Sequence, residues 1–201
     1  MYFFLAAYTV LGAGIKYIDD AFDKKSYSKH IAFIITPLLS ILGAYTMMID
    51  PVSATILLAV LGGVLLKGKI DNLAFATGFA IVLIIVIIAG INFLIIPLVM
   101  LTAAAVLDEV GNDYIDKKRD QLNPDKISHK FVTYFFLHRW IMKIAILFLV
   151  ALGIIHIVFF LAMVLFDYAY VAMDSYSKIK QGIISTTLMG KAMYRVACIF
   201  K

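Results

Sequence analysis

Asn112, Asp116 and Asp120 recur at intervals of four in the stretch Gly111–Asp120, so a helix places them on one face, with Asp113 one step round. The stretch follows one long apolar run and precedes another. A carboxylate face at the mouth of a membrane helix suits a divalent metal ion, and a metal ion there suits phosphate chemistry. A related stretch, Gly14–Asp23, stands near the N-terminus. Both read Gly-x-x-Tyr-Ile-Asp-x-x-x-Asp, and they lie 97 residues apart in a chain of 201. Five identities in ten, at half the chain length, point to an internal duplication.

The elements that must position these acids are membrane helices. The chain is 63% hydrophobic and only 15% charged, far from the balance of a water-soluble domain. Several apolar runs approach or exceed bilayer length. The expected class is therefore an all-α, polytopic membrane bundle. Met1–Ile15 lacks a basic leader and a small-residue cleavage site, so it is expected to be a retained helix. The single cysteine, Cys198, excludes an intrachain disulfide and a cysteine metal site. A net charge of +5 fits basic loops beside lipid, and no nucleic-acid-binding module is legible.

In chain order, helices are expected over Met1–Ile18, Ile31–Ile49 (with Pro37 as a possible kink) and Val52–Leu66, with a tight turn at Asp50-Pro51. Leu73–Leu107 runs 35 residues without a charge. As one helix it would span roughly 50 Å against a hydrocarbon core of about 30 Å. Two helices with a turn at Gly90-Ile91-Asn92 fit better. A central loop, Asp108–Lys130, would follow. Beyond it two readings stay open. An interfacial helix Phe131–Lys143 could precede one span, Ile144–Phe166, or two helices, about Phe131–Leu152 and Ile154–Met173, could meet near Gly153.

Lys and Arg cluster in alternate loops, which predicts that those loops and the basic tail are cytoplasmic. That favours the turn near Gly153 and a total of six to seven helices. Residues 1–92 and 93–177 would be the two membrane repeats, and 178–201 an interfacial tail at the plasma membrane. Asp19, Asp23, Asp71, Asp116 and Asp120 would then share one membrane face.

Such a face suits a substrate with an apolar tail and a polyanionic head. A prenyl diphosphate needs a lipid-accessible cavity, carboxylates for Mg²⁺, and cations to steady the leaving group. Lys117, Lys118, Arg119, Arg139 and Lys143 are the candidate phosphate contacts.

Asn112-Asp113-Tyr114-Ile115-Asp116-Lys117-Lys118-Arg119-Asp120 resembles the Asn-Asp-x-x-Asp-x-x-x-Asp signature of the UbiA-type intramembrane prenyltransferases. Gln121–Lys126 resembles the family's continuation, and Asp19-Asp20-Ala21-Phe22-Asp23 resembles its second signature, Asp-x-x-x-Asp. The two signatures stand here in the opposite order. The resemblance implies a helical bundle around a lipid-open cavity. It also implies Mg²⁺ held by Asp19, Asp23, Asp116 and Asp120, with Asp116 and Asp120 essential for catalysis. Asn112, Lys117, Arg119, Arg139 and Lys143 would contact substrate. The implied reaction is prenyl transfer to an acceptor, with membrane lipid as the surrounding medium.

Two other functions compete. Acids at a repeat interface also suit a small transporter or ion channel. The CDP-alcohol phosphotransferases offer a second lipid-enzyme resemblance, although Gly111 to Asp116 is one residue longer than their motif and Asp71-Asn72-Leu73-Ala74-Phe75 lacks its Gly and Arg. Plainer roles are expected elsewhere. Asp71 would be an interfacial charge, and Asp108 and Glu109 would begin the central loop. His156 would be hydrogen-bonded between helices. Arg139 and Lys143 could snorkel to the headgroups instead of binding substrate. Tyr134, Phe135, Phe136 and Trp140 would form an interfacial belt. Gly62-Gly63 would permit close helix packing.

Overall fold

The computed structural model describes residues 1–68, 70, 72–118 and 126–181, apart from the side chains of Asp116 and Leu137. Among these residues the regular structure is all helical, without strands. The helices are α1 (Tyr2–Phe22), α2 (Lys29–Ile49), α3 (Pro51–Leu66), α4 (Leu73–Ala89), α5 (Ile95–Lys117), α6 (Ile127–Leu137), α7 (Trp140–Ala151) and α8 (Ile157–Lys180).

Local chemistry explains several of the helix ends. Asp50 caps α3, accepting from the backbone N–H of Val52 at 2.7 Å and of Ser53 at 3.1 Å, with Pro51 in the first turn. Asn72 caps α4 by accepting from Phe75 N–H at 2.9 Å. Gly90 closes α4 in the left-handed region at φ 59°. The uncharged run is therefore two helices, as its length requires. Pro37 lies inside α2. A turn containing Gly153, at φ 72°, joins α7 to α8, where the second reading of the C-terminal half places it, but the helix expected ahead of that turn is broken at His138-Arg139 into α6 and α7.

Two expectations need correction. The central loop does not begin at Asp108: α5 continues to Lys117, so Asp108 and Glu109 belong to a helix. His156 is not an interhelical bond. It is exposed and caps α8, its Nδ1 accepting from Val158 N–H at 3.2 Å.

The main helix pairings are α1 with α8, α3 with α5, α2 with α4 and α1 with α2. Small residues let these helices approach. A Cβ placed on Gly12 would strike the backbone of Phe166, and one on Gly63 would lie 2.8 Å from the Ala105 Cβ. Tyr8, Leu11, Ile56, Leu101, Met142 and Phe166 are among the residues of the main apolar core. Outward faces remain apolar, as at Ile34 and Leu38 on α2 and Ile87 and Ile88 on α4. That distribution suits lipid as the outer solvent.

Length and composition qualify three helices to cross a membrane: α2, Ile95–Ile115 of α5, and α8. The segments Ile127–Phe136 and Trp140–Ala151, bent by 69°, add a fourth if they form one broken span. Helices α3 and α4 are apolar but shorter.

Candidate functional site

Charged side chains converge where α1, α5 and α8 approach their C-termini and α7 begins. The first cluster joins α1 to α8. Lys16 Nζ lies 2.6 Å from Asp19 Oδ2, 3.1 Å from Asp20 Oδ1 and 3.4 Å from Asp174 Oδ1. Lys24 Nζ lies 3.0 Å from the same Asp20 oxygen and 2.5 Å from the same Asp174 oxygen. Lys16, Asp20, Lys24 and Asp174 thus close an alternating ring. Lys178 pairs with the other Asp174 oxygen at 2.5 Å. Burial disfavours the Lys24 charge, but hydrogen bonds to Asp174 and Asp20 outweigh it and raise its pKa. The end of α8 also clasps the α1–α2 loop. Ser177 Oγ meets Ser26 Oγ at 2.8 Å, and Gln181 Nε2 donates to Lys24 O at 2.7 Å.

The second cluster joins α5, α7 and α8. Asp108 is buried and accepts from the backbone N–H of Ile141 at 3.0 Å and of Met142 at 2.7 Å. A carboxylate on one helix therefore caps the N-terminus of another, where the helix dipole favours negative charge. The adjoining Glu109 pairs with Arg139 at 2.9 Å. Arg139 has left-handed backbone angles, φ 47° and ψ 51°, at the break between α6 and α7. That conformation is uncommon for a residue with a Cβ. The contacts of Asp108 and Glu109 hold it there. Lys143 pairs with Asp167 and also donates to the carbonyl of His138, and both charged side chains are buried.

Tyr170 links the two clusters. The Lys16 ammonium lies 5.1 Å from its ring centre and the Arg139 guanidinium carbon 4.7 Å. A third pair, Lys67 with Asp113 at 2.9 Å, ties α3 to α5.

Two hollows adjoin the second cluster. A small, partly open pocket of about 30 Å³ is lined by residues including Gly63, Asp108, Glu109, Arg139 and Met142. An apolar groove of about 400 Å³ lies between α5 and α7 and opens to the surface. Ala103, Leu107, Ile141, Ile144 and Phe148 line it.

The expected site residues fall into three groups. Asp19, Arg139 and Lys143 are engaged in the pairs above. Asp23 caps α1 with helical angles, its N–H reaching Asp19 O at 2.9 Å, so Asp19 and Asp23 share a face at that end. Asn112 and Lys117 lie on the last turns of α5, and among the described residues nothing donates a hydrogen bond to the buried Asn112 Oδ1. Arg119, Asp120 and Asp71, with the side chain of Asp116, lie outside the described residues. The belt aromatics cluster around the α6–α7 break, where Phe136 packs on Gly111.

Sequence reasoning missed Lys16, Asp20, Asp108, Glu109, Asp167, Tyr170 and Asp174 as site residues. A local signal existed for the α1 pairs, because Lys16 precedes Asp19 by three residues and Asp20 by four. Asp167 and Lys143 had no such signal, since their pairing crosses two helices.

Among the described residues, no group of three His, Cys, Asp or Glu side chains is placed to hold a metal ion alone. Mg²⁺ usually takes only one or two protein carboxylates, with phosphate and water completing its shell. Comparison with family models, curated proteins and solved structures yields no match to this chain.

Proposed function

We propose that the chain is a membrane prenyltransferase that binds the head of a prenyl diphosphate at the charged end and its tail in the α5–α7 groove. One observation carries this reading: an open apolar groove and the second charged cluster are built from the same two helices, α5 and α7. Leu107 lines the groove and the next residue, Asp108, caps α7; Ile141 lines it and Arg139 pairs with Glu109 two residues away. An open apolar groove beside a charged cluster fits an amphiphile better than a wholly polar ligand.

Asp19 and Asp23 on one side, with Asn112, Asp116 and Asp120 on the other, would bind and orient the head. Mg²⁺ bound with the diphosphate would supply positive charge to stabilise the leaving group. Lys117, Arg119, Arg139 and Lys143 remain the proposed cations around it. The Arg139 and Lys143 pairs must loosen for direct contact with phosphate.

The proposed architecture has seven crossings: α1 to α5, α6 with α7 as one broken span, and α8. Duplication supports it. Gly14 packs on Leu39 and Gly111 on Phe136, two contacts related by the same 97-residue offset. The first helix of the first half also packs on the last helix of the second, α1 on α8. The charged end would face the cytoplasm.

Filling the groove is the test. Ala103→Trp is expected to lower turnover of a long-chain labelled prenyl diphosphate by about tenfold, and that of a short-chain analogue much less. Equal turnover of both substrates in the variant and wild type would refute the groove assignment. The buried Lys143–Asp167 pair favours a second reading, ion passage through the bundle. Cation flux into proteoliposomes that is lost in Asp167→Asn, without conversion of a prenyl diphosphate, would select it.

A further inference from the structure

Lys16 stands where a bound cation would stand. Carboxylates from two helices, those of Asp19, Asp20 and Asp174, surround its one ammonium at 2.6, 3.1 and 3.4 Å. Asp20 is fully buried, and among the described residues its Oδ2 receives no hydrogen bond, the Lys16 and Lys24 ion pairs being to Oδ1. A buried carboxylate oxygen without a donor is costly, and it marks a position where a further cation or proton donor is favourable. The surrounding oxygens stand at ion-pair distances, wider than the roughly 2.0–2.1 Å that Mg²⁺ imposes. The ammonium therefore spaces carboxylates that would draw together around a metal ion.

We propose that Lys16 is an internal counter-cation that competes with a divalent cation for Asp19 and for the open oxygen of Asp20. The proposal rests on the reading that the first acidic motif receives Mg²⁺. A side chain tethered to the same helix acts at high effective concentration, so Lys16 sets a threshold for occupancy. It keeps the carboxylates neutralised until a cation of higher charge displaces it. Lys24, which shares the same Asp20 and Asp174 oxygens, contributes to the same threshold. Lys16 thus acts through the carboxylates as a positioning residue.

Mn²⁺ titration of the purified full chain, followed by the electron paramagnetic resonance of free Mn²⁺ with no prenyl diphosphate present, tests this directly. Lys16→Met is expected to bind Mn²⁺ about tenfold more tightly than wild type. Lys16→Arg, which keeps the charge, is expected to match wild type. Adding Asp20→Asn to Lys16→Met is expected to abolish the gain. Unchanged or weaker binding by a folded Lys16→Met protein would overturn the proposal. If that variant does not fold, the more exposed Lys24→Met serves instead: an affinity gain of about threefold supports the competition, and no gain overturns it. Prenyl turnover is read separately. A gain in Mn²⁺ affinity with no turnover in any form removes the transferase reading and leaves the role of Lys16 intact. Mg²⁺-dependent turnover with unchanged Mn²⁺ affinity does the reverse.

Discussion

Lys143→Met is expected to destabilise the fold by about 3–5 kcal/mol, because it strands Asp167 among apolar helices. Both side chains of the pair are only 6% exposed, so water cannot replace the lost partner. Lys143 also satisfies the His138 carbonyl at the α6–α7 break, so its loss loosens that bend. The double variant Lys143→Met with Asp167→Leu is expected to recover most of the loss, because removing both charges also removes their desolvation cost. Thermal unfolding in detergent distinguishes these outcomes. A single variant as stable as wild type would show that the pair is not buried in the folded protein.

The second large effect is expected at Gly12. A Cβ there would meet the Phe166 carbonyl carbon at 2.8 Å and its Cα at 3.0 Å, and the carbonyl oxygen closer still. These are backbone atoms, which move only if α1 and α8 separate. Gly12→Val is therefore expected to cost about 3 kcal/mol or more, at the upper end of overpacking effects. Separating the helices would also pull Lys16 from Asp174. Gly14 provides the contrast. Its added Cβ would meet only the side chain of Leu39, whose rotamers can change. Gly14→Ala is expected to cost much less, because the gain in helix propensity offsets part of the strain. Equal melting temperatures for the Gly12 and Gly14 variants would contradict this packing.

The contrast between these sites and the helix ends shows what sequence can carry. The stops at Asp50-Pro51, Gly90 and Gly153 were legible because capping and left-handed turns depend on a few adjacent residues. The break at Arg139 was not legible. An arginine does not favour φ 47°, and the contacts that hold it come from Asp108 and Glu109 on another helix. Asp108 and Glu109 themselves looked like the start of a loop, because acids usually end a membrane helix. Their partners on α7 allow α5 to continue through them. His156 looked like a buried interhelical group because it is polar in an apolar run, yet it forms a local cap. The candidate site was legible as a charged end of an apolar bundle. The counter-charges on α8 were not, because Asp174 lies 150 residues from Lys24 and meets it only through the packing of α1 on α8.

The central claim is that the acidic motif of the second half serves prenyl diphosphate chemistry. The most direct measurement is turnover of a labelled prenyl diphosphate with Mg²⁺ by the chain in membranes, compared with Asp116→Ala and Asp120→Ala. Each substitution is expected to lower turnover by about a hundredfold or more while melting temperature stays close to wild type. Turnover unchanged in both variants would contradict the claim.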